Sequence, residues 1–292
     1  MSNKTQRFTL GLLALEGSVL SSLIGPADMF RIAQQLAFVR EPGTKLRLEA
    51  VLISARGLNT VTGTAGLQLN GVQSPDRALD CVLIPGYMHE SPEDAVAKLA
   101  NYQPEVDLIR ALHLRGIPIA AACCGSLLLA ESGLLDGRTA TSSWWLDAVF
   151  RKYFPKVQIN VERMIVEDGK LTTTGASTAI LTFVLQLIAK HIDESLAQLT
   201  GKMMLIDTER ASQAPYISMA LAEKPRHSLS EKAEQFIQQQ LHREFSVGEL
   251  AEHCDTSERS LLRHFRQHYN ASAISHIQHL RVERAKALLE ST

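Results

Sequence analysis

Residues 117–128, IPIAAACCGSLL, leave the surrounding fold little freedom. From Ile117 to Ala122 the run has no polar face to offer water, so a strand formed there is covered on both sides. Such strands belong to parallel sheets sandwiched between helices. The run breaks at Cys123-Cys124-Gly125 and resumes as an apolar helix over 125–135. Other segments repeat the alternation. Residues 8–15, 46–54 and 80–85 (DCVLIP) read as strands, and 60–69 as a Thr- and Gly-rich hairpin. Residues 157–166 and 170–174 read as strands around the Asp168-Gly169 turn. Helices are expected at 19–37, interrupted at Gly25-Pro26, and at 104–114, 175–191 and 196–206. Strands alternating with helices give an α/β unit built on a parallel sheet.

A chain of 292 residues favours two domains. Residues 207–230 turn polar and carry Pro215 and Pro225, and seven of the ten histidines lie at His227 or later. The expected division is 1–206, a linker over 207–227, and an all-α domain over 228–292. The net charge of −1 excludes a protein that coats nucleic acid or acidic membrane indiscriminately. Four cysteines, Cys81, Cys123, Cys124 and Cys254, do not make a disulfide framework at this length, and a reducing cytoplasm fits them. The apolar run near the start is broken by Glu16, and the run at 179–189 contains Gln186 and is too short to span a bilayer. No membrane partner, metal or cofactor is expected.

The all-α domain holds the second constraining stretch, 247–267. Val247, Leu250, Ala251 and Cys254 share one helical face. Asp255-Thr256 suits a tight turn, because Asp tolerates the left-handed conformation. Ser257 is an N-cap and Glu258 a first-turn acid. A second helix would bury Leu261, Leu262 and Phe265. Its other face would show Arg259, Ser260, Arg263, His264, Arg266 and Gln267. Arg and Gln match guanine and adenine edges in the major groove, so a helix-turn-helix is expected, with Ser257 and Glu258 at the start of its DNA-facing set. From Arg226 to Thr292 nine Lys/Arg balance nine Asp/Glu, whereas 257–268 holds three Arg against one Glu. Phosphate contact should therefore be local and salt-dependent.

The cysteine turn offers a different chemistry. A thiol at a strand-to-helix elbow faces a helix N-terminus, which lowers its pKa. The elbow order favours Cys123 as the exposed thiol and Cys124 as an oxyanion amide donor, with Gly86-Tyr87 as a second donor and Glu16 within reach of the same crevice. The alternative is a pair of buried structural thiols. Nucleophilic use needs a base, and only His89, His113 and His191 occur in this part.

GPADMF (25–30), Pro85-Gly86 and AACCGSLLLAESGLLDGRTATSSW (121–144) resemble the PfpI-like, class I glutamine-amidotransferase-like domain. FSVGELAEHCDTSERSLLRHFRQHYNASAISHIQHLRVERAKALLEST (245–292) resembles the AraC/XylS family of transcriptional regulators. The resemblance implies an amidotransferase-like sensor that pairs two copies and binds a small molecule, such as an amine, an amino-acid derivative or a quaternary ammonium compound. It also implies a reader of promoter DNA. By the same resemblance Glu16, Gly86, Tyr87, Cys123, Cys124 and Ser143 line the sensor pocket. Ser143 stands where relatives often place His before Trp, which implies a thiol without its base and no catalytic residue. The competing reading is a cysteine-dependent hydrolase or amidase with an accessory helical domain. Residues 273–290 read as the long helix that joins two helix-turn-helix units in AraC-type domains. The second unit is absent from this sequence, so either the sequence is shortened or one unit per chain reads DNA.

Overall fold

The computed structural model describes residues 6–206, 212–214, 216–217, 229–269 and 271–290. The chain divides into two compact units at Ala211/Ser212. Most of the segment read as a linker, 207–227, lies outside the described residues.

The first unit carries a six-stranded sheet in the order β2-β1-β5-β6-β10-β9. Its strands are β1 (Arg7–Leu13), β2 (Arg47–Ile53), β5 (Cys81–Ile84), β6 (Ile119–Ala122), β9 (Ile165–Asp168) and β10 (Leu171–Thr174). All neighbours pair in parallel except β9, which turns back on β10. Strands β3 (Thr60–Thr62) and β4 (Gln68–Asn70) form the expected hairpin, and β7 (Thr139–Ala140) pairs with β8 (Gln158–Ile159). Alternate side chains serve two cores. Ile119 and Ala121 face the side covered by α2 (Pro92–Ala97), α3 (Gln103–Leu114), α4 (Gly125–Glu131) and α5 (Asp147–Tyr153). Ala120 and Ala122 face α1 (Ser21–Arg40), α6 (Ala179–His191) and α7 (Glu194–Met203). This is the sandwiched parallel sheet that the unalternating strands require.

Three expectations are corrected. Helix α1 runs unbroken through Gly25-Pro26. Pro26 removes one ladder bond, but its ring is buried, and a Cβ on Gly25 would lie 2.9 Å from Leu181 of α6, so packing carries the helix past both residues. The strand expected over 157–166 splits into β8 and β9, because Asn160 Oδ1 accepts from the Glu162 N–H and turns the chain between them. Helix α6 begins at Ala179, since Gly175 still bonds sideways to Met164.

The outer edge of β2 is occupied at both ends. Gln34 of α1 accepts from Leu48 N–H (2.8 Å) and donates to Leu46 O (3.1 Å), as a neighbouring strand would. Further along, Gln73 N–H donates to Leu52 O and Ser54 N–H to Gln73 O.

The second unit comprises α8 (Leu229–Gln240), α9 (Val247–His253), α10 (Glu258–His268) and α11 (Ala273–Glu290). All four contribute to one core: Ala233, Phe236 and Ile237; Leu250, Ala251 and Cys254; Leu261 and Phe265; Ala273, Ile277 and Leu280. Helix α9 opens with a reciprocal capping box between Ser246 and Glu249.

Candidate functional site

Each unit holds one place with chemistry. In the first it is the turn from β6 into α4. Cys123 has φ 54°, a left-handed conformation that costs a non-glycine residue roughly 1–2 kcal/mol. Its surroundings hold it there. The Cys123 N–H donates to Thr174 O and Gly175 O, both at 3.1 Å. Its carbonyl accepts from Ser126 Oγ (2.7 Å) and Ser142 Oγ (3.2 Å). Ser143 Oγ donates to Cys123 Sγ at 2.9 Å. The three serines are fully buried. Gly125 completes the turn, since a Cβ there would stand 2.4 Å from Pro85 O and 2.9 Å from Ile84 O.

Five of the six expected pocket residues come together here. A Cβ on Gly86 would touch Cys123 Cβ at 3.3 Å. The Tyr87 N–H donates to Cys124 Sγ (3.1 Å), which donates back to Tyr87 O (3.2 Å). The Tyr87 amide is therefore already engaged and is not the second oxyanion donor expected of it. Glu16 lies exposed on the rim, on a loop bonded to Gly86 and Met88. Its carboxylate accepts from Thr62 N–H (3.2 Å), and its carbonyl accepts from Tyr102 OH (2.7 Å). Among the described residues Glu16 makes no hydrogen bond to the thiol.

The hydrogen bond with Cys124, and secondarily the one from Ser143, hold the Cys123 thiol below the ordinary range despite its burial. The same coupling and burial push Cys124 well up. No histidine hydrogen-bonds Cys123 among the described residues. Ser143 can donate to a thiolate but cannot accept a proton at neutral pH, so the site stabilises charge on sulfur without a base. A hollow of about 280 Å³ is lined by Met164, Thr178, Leu181, Thr182 and Met204 among others.

Residues 21–190 match the DJ-1/PfpI family. The chain belongs to that family. Two kinds of protein are among those this chain is similar to. The HTH-type transcriptional regulator GbdR of Pseudomonas aeruginosa is 26% identical over 291 residues, covering 97% of this chain and 74% of that one. The isonitrile hydratase of Pseudomonas putida is 31% identical over 147 residues, covering 49% of this chain and 60% of that one. Among solved structures, Drosophila melanogaster DJ-1beta has the same fold, with a TM-score of 0.55 at 19% identity over 69% of this chain and all of that one.

The second place lies in the helical unit, beyond the DJ-1/PfpI match. Asp255 has φ 53° between α9 and α10, as the turn requires. Its carboxylate pairs with Lys232 of α8 at 2.6 Å. Ser257 Oγ accepts from Ser260 N–H (3.3 Å), and the Glu258 carboxylate lies over Gly248, where a Cβ would come within 2.8 Å. Leu261 and Phe265 are fully buried. Leu262 is not the core residue expected, because at 36% exposure it rides on the shoulder of the helix. Arg259, Arg263 and Arg266 are exposed, and their spacing of four and three keeps them on one face. None makes an ion pair among the described residues.

His264 leaves the outward set. Its Nε2 lies 2.6 Å from Ser230 Oγ of α8. The Gln267 side chain lies outside the described residues. The Ser246–Glu249 box was readable as S-x-x-E ahead of an apolar run and was missed.

Proposed function

We propose that this chain is a sequence-specific DNA-binding transcriptional regulator whose DJ-1/PfpI unit senses a small molecule. The observation that carries the reading is the face of α10. Three arginines without ion-pair partners among the described residues stand in line on an exposed helix, after a left-handed turn and a serine cap. Arginine's planar fork suits guanine O6 and N7, and the likeness to GbdR along nearly the whole chain supports the same reading. In it, residues 1–206 are the sensor, 207–227 the linker and 228–292 the DNA reader. Promoter DNA is the macromolecular partner. The effector is an amine or amino-acid derivative taken up beside Gly86, Tyr87, Cys123, Cys124 and Ser143, with Glu16 at the rim. Two copies pair so that their recognition helices reach successive turns of DNA, and the protein works in the cytoplasm. Cys123 serves as a pocket residue and not as a nucleophile.

A mobility shift on duplex from upstream of the chain's own gene, against random duplex of equal length, tests the reading. Arg263→Ala should weaken specific binding by about 1–3 kcal/mol. Unchanged affinity and unchanged preference would remove α10 as the reader.

The lowered Cys123 thiol and the isonitrile hydratase relative favour a second reading, a cysteine-dependent hydrolase or amidase. Turnover of isonitriles, amides or aldehydes that disappears in Cys123→Ala would establish it.

A further inference from the structure

A half-buried polar cluster joins α8, α10 and α11, and the arginine face does not use it. Ser230 Oγ, in the first turn of α8, lies 2.6 Å from His264 Nε2. One turn on, Glu234 is 4% exposed and meets His276 Nε2 of α11 at 2.5 Å. Tyr269, at the C-terminal end of α10, stacks on Phe265 with centroids 5.0 Å apart and lies 4.5 Å from the His276 ring.

Helix α10 needs this cluster because its apolar anchorage is narrow. Among its described side chains only Leu261 and Phe265 are fully buried, one turn apart on a single line along the helix. A line of contact fixes how deeply a helix sits but resists rolling about its own axis poorly, and neighbouring side chains are about 100° apart around that axis. A bond on the shoulder, beside Phe265, supplies the missing constraint.

We propose that His264 is a positioning residue for DNA reading. With Ser230 it fixes the roll of α10 and so the direction in which Arg259, Arg263 and Arg266 point; it does not touch a base or a phosphate. The proposal rests on the DNA-binding reading above.

The full chain is compared as parent, Ser230→Ala, His264→Ala, the double variant and Ser230→Thr. The probes are the upstream duplex and a random duplex. Losing one side-chain hydrogen bond should lower the preference for the upstream duplex about threefold to tenfold in either single variant. The double variant should lose less than the product of the two singles, because both substitutions remove the contact between Ser230 and His264. Ser230→Thr keeps the hydroxyl and should restore the preference, and random-duplex affinity should not move. An intact preference in Ser230→Ala, with a loss in His264→Ala that the double variant repeats unchanged, would overturn the proposal and return His264 to the DNA face. If the parent itself does not distinguish the duplexes, the regulator reading fails, and hydrogen exchange without DNA decides the clamp. Ser230→Ala should then speed exchange of amides 258–268 more than those of 247–253; equal change in both overturns it.

Discussion

Cys123 and Asp255 share almost the same backbone angle, φ 54° and 53°, and are held in it by different means. Cys123 has no side-chain affinity for the left-handed region. It is kept there by two amide acceptors on β10 and the following turn and by two serine hydroxyls on its carbonyl, all deep in the unit. Asp255 belongs to a residue type that visits this region readily. Its side chain is 79% exposed, and its one ion pair, to Lys232, lies at the surface. The first turn is imposed by tertiary structure, and the second is largely chosen by the local sequence. Strained residues of this kind cluster at functional sites, whereas a locally chosen turn sets the direction of the helix that follows.

That difference can be broken at several points. The largest effect is expected at Gly125→Ala, whose Cβ meets the carbonyls of Ile84 and Pro85, backbone atoms that cannot step aside. A loss of about 3 kcal/mol or more is expected in the first unit, read by thermal unfolding. Next comes Asp255→Val. A β-branched residue at φ 53° should cost the helical unit about 1–2 kcal/mol. Asp255→Gly should cost little, since glycine accepts the angle and the exposed pair to Lys232 is weak; both are measured by denaturant midpoint. Ser257→Ala removes the cap of α10 and should cost about 1 kcal/mol, seen as faster hydrogen exchange in the first turn of that helix. The smallest expected effect is on reactivity alone. Ser143→Ala removes a donor that holds the Cys123 thiol low, so its pKa should rise toward the ordinary value. The thiolate fraction at neutral pH then falls, and the inflection in iodoacetamide alkylation rate moves to higher pH. An unmoved inflection would show that Ser143 has no electrostatic hold on the sulfur.

The same contrast explains what was legible in the sequence. The α9–α10 turn could be read residue by residue because cap, turn and first-turn acid are contiguous, and α11 occupies 273–290 as its apolar spacing requires. The parallel sheet was legible because Ile117–Ala122 has no polar face to offer. What escaped depends on residues distant in the chain. Gly25-Pro26 looks like a break until Leu181 is packed against it. His264 reads as an outward side chain until Ser230, thirty-four positions earlier, engages its Nε2. Glu16 sits at the correct strand tip, but the hairpin's Thr62 N–H takes its carboxylate. The pair between Arg56 and the buried Glu105 left no local signal at all, joining a loop after β2 to the second residue past the start of α3.

The glutamine at the rim of the sheet bears on assembly. An open strand edge is a template for another chain, and β2 would be that template on one side of the first unit. Gln34 presents its amide to Leu46 and Leu48 in place of a neighbour's backbone, and Gln73 closes the far end with its own main chain. A second copy adding a strand along β2 would have to displace both before gaining comparable bonds. Any pairing of copies through this unit is thereby steered away from a continuous intermolecular sheet and toward its helices and loops, whose contacts can shift without unzipping the fold.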